Sequence, residues 1–375
     1  MRTQAQSFAA GSGRTPSRFR AAYGTLEEAI GARALPGCAF GVLASGEVVL
    51  KDALGRFTYE QESPPVTTET VYDIASLTKV VATTAAAMLL HQHGQIKLDT
   101  PLGDFLPDFL AGRPREDPAH HVTLRHLLAH SSGLPGYVEL FRSAASSEQL
   151  LRACLELPLE AEPGTRAEYS DPGFILLGKA LEVQMGERLA PWLQREVFGP
   201  LEMSATEFCP AEEARRSIPP TEEDTTFRHR RIEGEVQDEN AYVLGGVAGH
   251  AGLFSNVSDL LRFAGSILGA GARNGTKGTA NLFGREVVNR FAERQNLQGS
   301  SRALGWDTPS EDSSSGSHFS AHSIGHLGYS GCSLWIDLDA AVAVVLLTNR
   351  TWPDRRSLLI REVRPAFHDA IREAL

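Results

Sequence analysis

The chain has 375 residues, enough for two domains or one large composite, and its 42% hydrophobic content supports a sizeable core. Its formal net charge of −10 argues against a nucleic-acid backbone or an anionic membrane as the main partner. No apolar run reaches the roughly 18 residues of a transmembrane helix. The start, "MRTQAQSFAAGSGRTPSRFR", lacks the apolar core of a signal peptide, so a cytoplasmic location is expected. The four cysteines, Cys38, Cys154, Cys209 and Cys332, are far apart without metal-type spacing and read as reduced thiols.

In chain order, residues 1–17 read as a disordered polar tail. "RFRAAYGTLEEAIGARA" (18–34) has helical spacing, with Phe19, Tyr23, Leu26 and Ile30 on one face. "GCAFGVLASGEVVLKDALG" reads as a hairpin turning at Ser45-Gly46. Helical patterns dominate from 76 to 300. "HVTLRHLLAHSSGLPG" is a short helix ended by Gly133 and Pro135. "DPGFILLGKALEVQMG" is a helix over 172–185, stopped by Gly186. "SNVSDLLRFAGSILGAG" is another, capped by Ser255 or Ser258.

The β pattern then returns. "RALGWDT", "GYSGCSLWIDL" and "AVAVVLLTNR" predict three strands, and "SEDSSSGSHFSAHS" (310–323) predicts a mobile loop. "RRSLLIREVRPAFHDAIREAL" is a terminal helix with a break expected at Pro365. The sheet thus comes from both ends, 18–75 plus 301–375, with a mainly helical region, 76–300, inserted between them. Strands and helices segregate, which argues an α+β fold and not a doubly wound one.

Ser76 and Lys79 open the helical region at "DIASLTKVVATT". Positions i and i+3 share a helix face. A serine at the first turn also has unpaired backbone N–H groups beside it. The lysine amine can take the hydroxyl proton if burial or cationic neighbours lower its pKa, and the Ser76 amide can help bind an oxyanion. The alternative is an N-cap serine and a solvated lysine. S-x-x-K alone does not decide between them.

Two further stretches tip the balance. "EYSDPGFILLG" places Tyr169 and Asp171 before a helix, and "GHLGYSGCSLWID" places His326 and Gly328 at the entrance of a predicted strand. The order S-x-x-K, Y-x-[N or D], [K or H]-x-G resembles the serine β-lactamases and penicillin-binding proteins. The likeness is greatest to the class C-like branch with its carboxylesterases and muropeptide amidases, and runs from about 36 to 350. The segments "HLLAHSSGLPG", "NAYVLGGVAGHAGLFSNVSDLLRFA" and "VVLLTNR" extend it. The resemblance implies a β-lactamase/transpeptidase-like fold: an antiparallel sheet from both chain ends flanked by helices, an inserted helical domain, and a site between them. It implies Ser76 as nucleophile, Lys79 as its proton partner and Tyr169 as a second acid/base group. The N–H groups of Ser76 and Tyr329 would form the oxyanion hole. Gly328 and Asp171 would border substrate, and His326 would orient it or share in proton shuttling, with no cofactor and no metal.

Two departures from the family pattern bear on substrate. Tyr-x-Asn is Tyr-x-Asp here, and Lys-Thr-Gly is His326-Leu327-Gly328. A neutral histidine and a leucine hold a drug carboxylate poorly. Asp171 would favour a protonated Lys79 and repel anions, unless it merely caps the helix at 172. Expected substrates are therefore a small ester or amide, a β-lactam, or a peptidoglycan fragment. The different-class alternative is a penicillin-binding sensor without turnover. His126 and His130 have a zinc-compatible i, i+4 spacing, but no acidic residue follows His126 and no metal is expected. Asp238, Asn240 and His250, in "QDENAYVLGGVAGHAGLF", read equally as substrate contacts or as structural groups.

Overall fold

A computed structural model describes residues 17–270 and 282–375, so the expected tail lies, except for Ser17, outside the described residues. The hairpin forms as its turn dictates. Strands β1 (Gly37–Ala44) and β2 (Glu47–Gly55) are joined by Ser45 and Gly46, at φ 51° and 82°. Two successive left-handed residues match the twist of paired strands. Three more strands come from the far end: β3 (Ser323–Leu327), β4 (Ser333–Asp337) and β5 (Val342–Thr348). The sheet order is β2-β1-β5-β4-β3, with every neighbouring pair antiparallel. The two chain ends meet at β1 and β5, where Phe40 pairs with Leu346. The α+β architecture expected from the sequence is the one observed.

Period-2 alternation gives the sheet two apolar faces. Cys38, Phe40, Val42, Val344 and Leu346 serve one core; Ala39, Leu43, Val345 and Leu347 serve the other. Five helices matter to these cores: α1 (Arg20–Gly31), α2 (Ala85–Gln92), α3 (Asp171–Met185), α4 (Val257–Leu268) and α5 (Ile360–Glu373). Helices α1 and α5 cover the first face. There Tyr23, Phe40 and Phe367 pack edge to face in series, at 5.3 and 5.6 Å. Each such contact adds about 1 kcal/mol beyond burial. Helix α4 seats on the second face at Gly41, where a Cβ would lie 2.6 Å from Val257 and 2.8 Å from Leu261. Part of the stretch read as inserted thus forms a layer of the sheet. Helices α2 and α3 continue the same core.

Several local expectations change. The cap of α4 is Asn256, which accepts the Asp259 N–H at 3.0 Å. Ser255 instead ends a strand and bonds Thr206, and Ser258 bonds Lys51. "RALGWDT" is a tight turn at Gly305, φ 84°, with isolated bridges only. "GYSGCSLWIDL" is split: residues 328–332 turn at Gly331, φ 114°, and the strand starts at Ser333. His326 consequently lies at the end of β3, before that turn. The 310–323 loop is tied to its surroundings. Asp369 accepts the N–H groups of Ser317 and His318, and Asp337 accepts Ser320. Helix α5 runs through Pro365 unbroken, held by Ile360, Val363, Phe367 and Ile371. All four cysteines are free thiols, and no helix among the described residues is long and apolar enough to cross a membrane.

Four histidines are buried in this framework: His130, His250, His326 and His368. Burial holds His130 and His326 well below the usual imidazole pKa and His368 at about 4. Unfolding returns these three to about 6.5. Below that pH the unfolded chain binds protons that the folded chain does not, so stability falls as pH falls. Asp73, raised by burial to about 6, opposes this with a proton taken up earlier in the folded state, and burial raises Glu239 and Asp259 in the same sense. The imidazoles outweigh these carboxyls because their ordinary titration falls between about pH 5 and 7.5. The urea midpoint is therefore expected to be lower at pH 5 than at pH 7.5, with up to about 2 kcal/mol lost per histidine. An unchanged or higher midpoint at pH 5 would show that these imidazoles are not held neutral.

Candidate active site

The short strand Tyr72–Asp73 pairs with Leu253–Ser255 and delivers the chain to Ala75, whose φ is 47°. A left-handed alanine is strained and needs support. Asp73 supplies it: one carboxylate oxygen accepts the Ala75 N–H at 2.8 Å, the other the Gln237 N–H at 2.7 Å. Thr78 Oγ1 donates to the Ala75 carbonyl at 2.6 Å and accepts the Leu253 N–H at 3.1 Å. Ser76 sits in the tight turn Ala75–Leu77, half-buried. A wide π-helical segment, Lys79–Thr84, then leads into α2. The expected helix from 76 is therefore a composite, and Lys79 begins its widened part.

Lys79 is wholly buried. Its Nζ donates to Ser76 Oγ at 3.1 Å, to Asp171 Oδ1 at 2.6 Å and to the His250 carbonyl at 3.2 Å. Burial pushes the amine pKa down, but the Asp171 carboxylate and Tyr169 outweigh it, so the net shift is upward. The condition for a free amine, a pKa lowered by burial or cationic neighbours, is therefore not met: the close partner is the Asp171 carboxylate, which favours the protonated amine as the Tyr-x-Asp departure implied. Asp171 does not cap its helix. Ser170 does, accepting the Gly173 N–H at 3.0 Å, which frees Asp171 for the lysine.

Tyr169 lies half-buried just before α3, its ring centroid 4.8 Å from Lys79 Nζ and its hydroxyl facing Lys79 and Ser76. Burial raises its pKa, so it is a neutral phenol at rest. His326 is buried, its ring 5.9 Å from that of Tyr169. Its Nδ1 donates to the Leu327 carbonyl at 2.8 Å, which leaves Nε2 a bare acceptor without a partner among the described residues. It touches neither Ser76 nor Lys79 through a hydrogen bond.

Gly328 is required by space: a Cβ there would lie 2.5 Å from the Ile74 carbonyl oxygen. That close approach sets the 328–332 turn against the turn that carries Ser76. The backbone N–H groups of Ser76 and Tyr329 have no hydrogen-bond partner among the described residues. Arg364 of α5 holds the turn from behind. Its guanidinium, buried without a carboxylate, donates to the carbonyls of Gly328, Gly331 and Cys332 at 2.6, 3.0 and 3.0 Å. Sequence reasoning missed Arg364 and Asp73, since neither lies in a motif.

Ser76, Tyr169, Asp171, Asp238 and Tyr329 line one cleft of about 550 Å³. Glu139, Glu168 and Glu239 add carboxylates to its wall, against one lining cation, Arg355, which Glu222 and Glu239 already engage. Asp238 accepts His250 Nε2 at 2.9 Å and the Ala241 N–H at 2.7 Å. Although burial acts against it, His250 is the main cause holding that carboxyl down at about 2. Asn240 is structural, bonding Phe141 and Val138 through both ends of its amide. His126 closes a capping box with Thr123. No cluster fit for a metal occurs among the described residues.

The sequence profile of the beta-lactamase family matches residues 24–365. The chain belongs to the beta-lactamase family. Over 309 residues it is 31% identical to an Escherichia coli K12 protein named "Putative D-alanyl-D-alanine carboxypeptidase", covering 76% of this chain and 70% of that one. Over 356 residues it is 27% identical to the Bacillus subtilis 168 protein named "N-acetylmuramyl-L-alanine amidase", covering 85% and 78%. Its fold matches that of EstCE1, described as a hydrolase with promiscuous acyltransferase activity. The TM-score is 0.74 over 95% of this chain and 98% of that one, at 22% identity. Beta-lactamase-family membership makes this chain hydrolase-like, with Ser76 and Lys79 at the family's first motif.

Proposed function

We propose that the protein is a cytoplasmic serine hydrolase that forms an acyl-enzyme on Ser76 and cleaves an ester or amide. The observation that carries this reading is Ser76 Oγ, 3.1 Å from Lys79 Nζ, in a cleft that also presents the unpaired Ser76 and Tyr329 N–H groups. Lys79 is charged at rest, so it accepts a proton only as it releases one. The Ser76 hydroxyl proton passes to Lys79 while a Lys79 proton passes to Asp171 Oδ1, 2.6 Å away. Ser76 Oγ bonds to the substrate carbonyl carbon, and charge gathers on the carbonyl oxygen between the two N–H groups. On collapse the bond to the leaving group breaks, and that group takes the Tyr169 hydroxyl proton. Tyr169 is reprotonated from Asp171 through Lys79. Water then adds to the acyl carbon and gives up a proton through Lys79 to Asp171; the bond from the acyl carbon to Ser76 Oγ breaks, the acid leaves, and that proton returns through Lys79 to Ser76.

The charge around the nucleophile supports a substrate class. His326 is neutral, Leu327 is apolar, and carboxylates dominate the cleft wall. A carboxylate-bearing β-lactam meets repulsion here, whereas a neutral ester or a substrate carrying an amine donor does not. A second reading is action on cell-wall fragments, including cleavage at an N-acetylmuramoyl-L-alanine amide. The names of the two bacterial relatives favour it. A panel of short p-nitrophenyl esters, nitrocefin and anhydro-muropeptides separates these substrates.

Intact-mass measurement after treatment with a fluorophosphonate tests the nucleophile. The wild type should gain one adduct and Ser76→Ala none, with ester turnover of Ser76→Ala down by about three orders of magnitude or more. Labelling or turnover that survives in Ser76→Ala removes Ser76 from the mechanism. Asp171→Asn tests the electrostatic selectivity. It should lower ester turnover by about tenfold or more, yet raise nitrocefin hydrolysis relative to the ester. An unchanged ratio of the two activities would show that the carboxylate does not set selectivity.

A further inference from the structure

His130 follows the short helix Leu124–Leu128 and stands at φ 54°, the left-handed region. It is 2% exposed. Its ring lies between Tyr169 and Phe174, with centroids 4.7 and 4.8 Å away and interplanar angles of 35° and 29°. Its carbonyl accepts the Glu168 N–H at 2.8 Å, and its Nδ1 accepts the Ser170 N–H at 3.0 Å. One histidine therefore ties the residue before Tyr169, the residue after it, and the tyrosine ring itself. Accepting at Nδ1 requires a neutral ring with its proton on Nε2. Burial keeps it neutral, and Nε2 has no partner among the described residues. The ring is thus not a link in a hydrogen-bonded relay to Ser76 or Lys79.

We propose that His130 is a positioning residue for Tyr169, fixing the phenol toward Ser76 and Lys79 chiefly through the Nδ1 bond to the Ser170 N–H. This rests on Tyr169 being the acid/base group of the proposed reaction. The Glu168 bond uses His130's backbone, so any residue would make it. The Nδ1 bond needs a side-chain acceptor that also tolerates the left-handed region. Asparagine meets both conditions: it is enriched there, and its amide oxygen falls near the place of Nδ1. Phenylalanine keeps the stacked ring but leaves the buried Ser170 N–H without a partner.

The test is a double-mutant cycle on a p-nitrophenyl ester with melting temperatures recorded in parallel. His130→Phe should lower kcat by about tenfold to a hundredfold, since misplacing a catalytic group by an ångström has that scale, and leave KM within about twofold. His130→Asn should stay within about threefold of wild-type kcat. In a Tyr169→Phe background, His130→Phe should cost nothing further, because it acts through the lost hydroxyl. If Tyr169→Phe is crippled and His130→Phe adds its full loss to it, Tyr169 keeps its role and the positioning proposal is overturned. If Tyr169→Phe retains near-normal turnover, the acid/base assignment fails first and the proposal falls with it. Should His130→Phe not fold, His130→Asn decides alone: a folded Asn variant with a loss beyond about tenfold overturns the proposal.

Discussion

A charge removed from water must find a partner, and Lys79 is a wholly buried ammonium. Three segments distant in sequence converge to meet that demand. The Ala75–Leu77 turn supplies the Ser76 hydroxyl, the start of α3 supplies the Asp171 carboxylate, and the glycine-rich stretch supplies the His250 carbonyl. Much of the surrounding architecture serves to bring these three to one point. Asp73 clamps the strained Ala75 and, through Gln237, ties the Ala75–Leu77 turn to the wall that carries Asp238. Ser170 takes over helix capping so that Asp171 can point at the lysine. Removing Asp171 would leave a buried cation with neutral acceptors only.

This pairing changes what the S-x-x-K motif can do. A lysine opposite an amide can be driven toward neutrality by burial. Opposite a carboxylate at 2.6 Å it is held charged, and in the proposed reaction the Lys79–Asp171 couple acts as the base as a unit. Asp171 keeps a side-chain exposure of 14%, so this couple is screened on its cleft side only. The same carboxylate contributes to the acidic wall of the cleft. In the proposed reaction, proton handling and substrate selection are therefore linked through one residue.

Much of this was legible in the sequence. The Ser45-Gly46 turn demanded a hairpin, and the apolar runs at both ends demanded a shared sheet. Ser76, Lys79, Tyr169 and Asp171 do converge, and Gly328 does abut the turn that carries Ser76. What escaped depended on long-range geometry. His130 reads as an ordinary helix-end histidine until its left-handed φ and a partner 40 residues away are known. Arg364 lies on a terminal amphipathic helix, where an arginine normally points to solvent, yet it reaches three carbonyls of the 328–332 turn. The sequence left Asp171 as either a partner that keeps Lys79 protonated or a helix cap; the 2.6 Å contact with Lys79 and the capping bond of Ser170 decide between them.

The charge of Lys79 can be read directly by carbon-13 NMR of the chain labelled at lysine Cε. Its resonance is assigned by difference from Lys79→Arg and followed through a pH titration. With Asp171 in place, the Lys79 signal should keep its charged-form shift from pH 6 up to about pH 10, the ordinary lysine range. In Asp171→Asn its titration should move down, because burial then acts unopposed by a carboxylate. A wild-type midpoint near pH 7 to 8 would mean a free amine at rest, and the paired-charge account of this site would be contradicted.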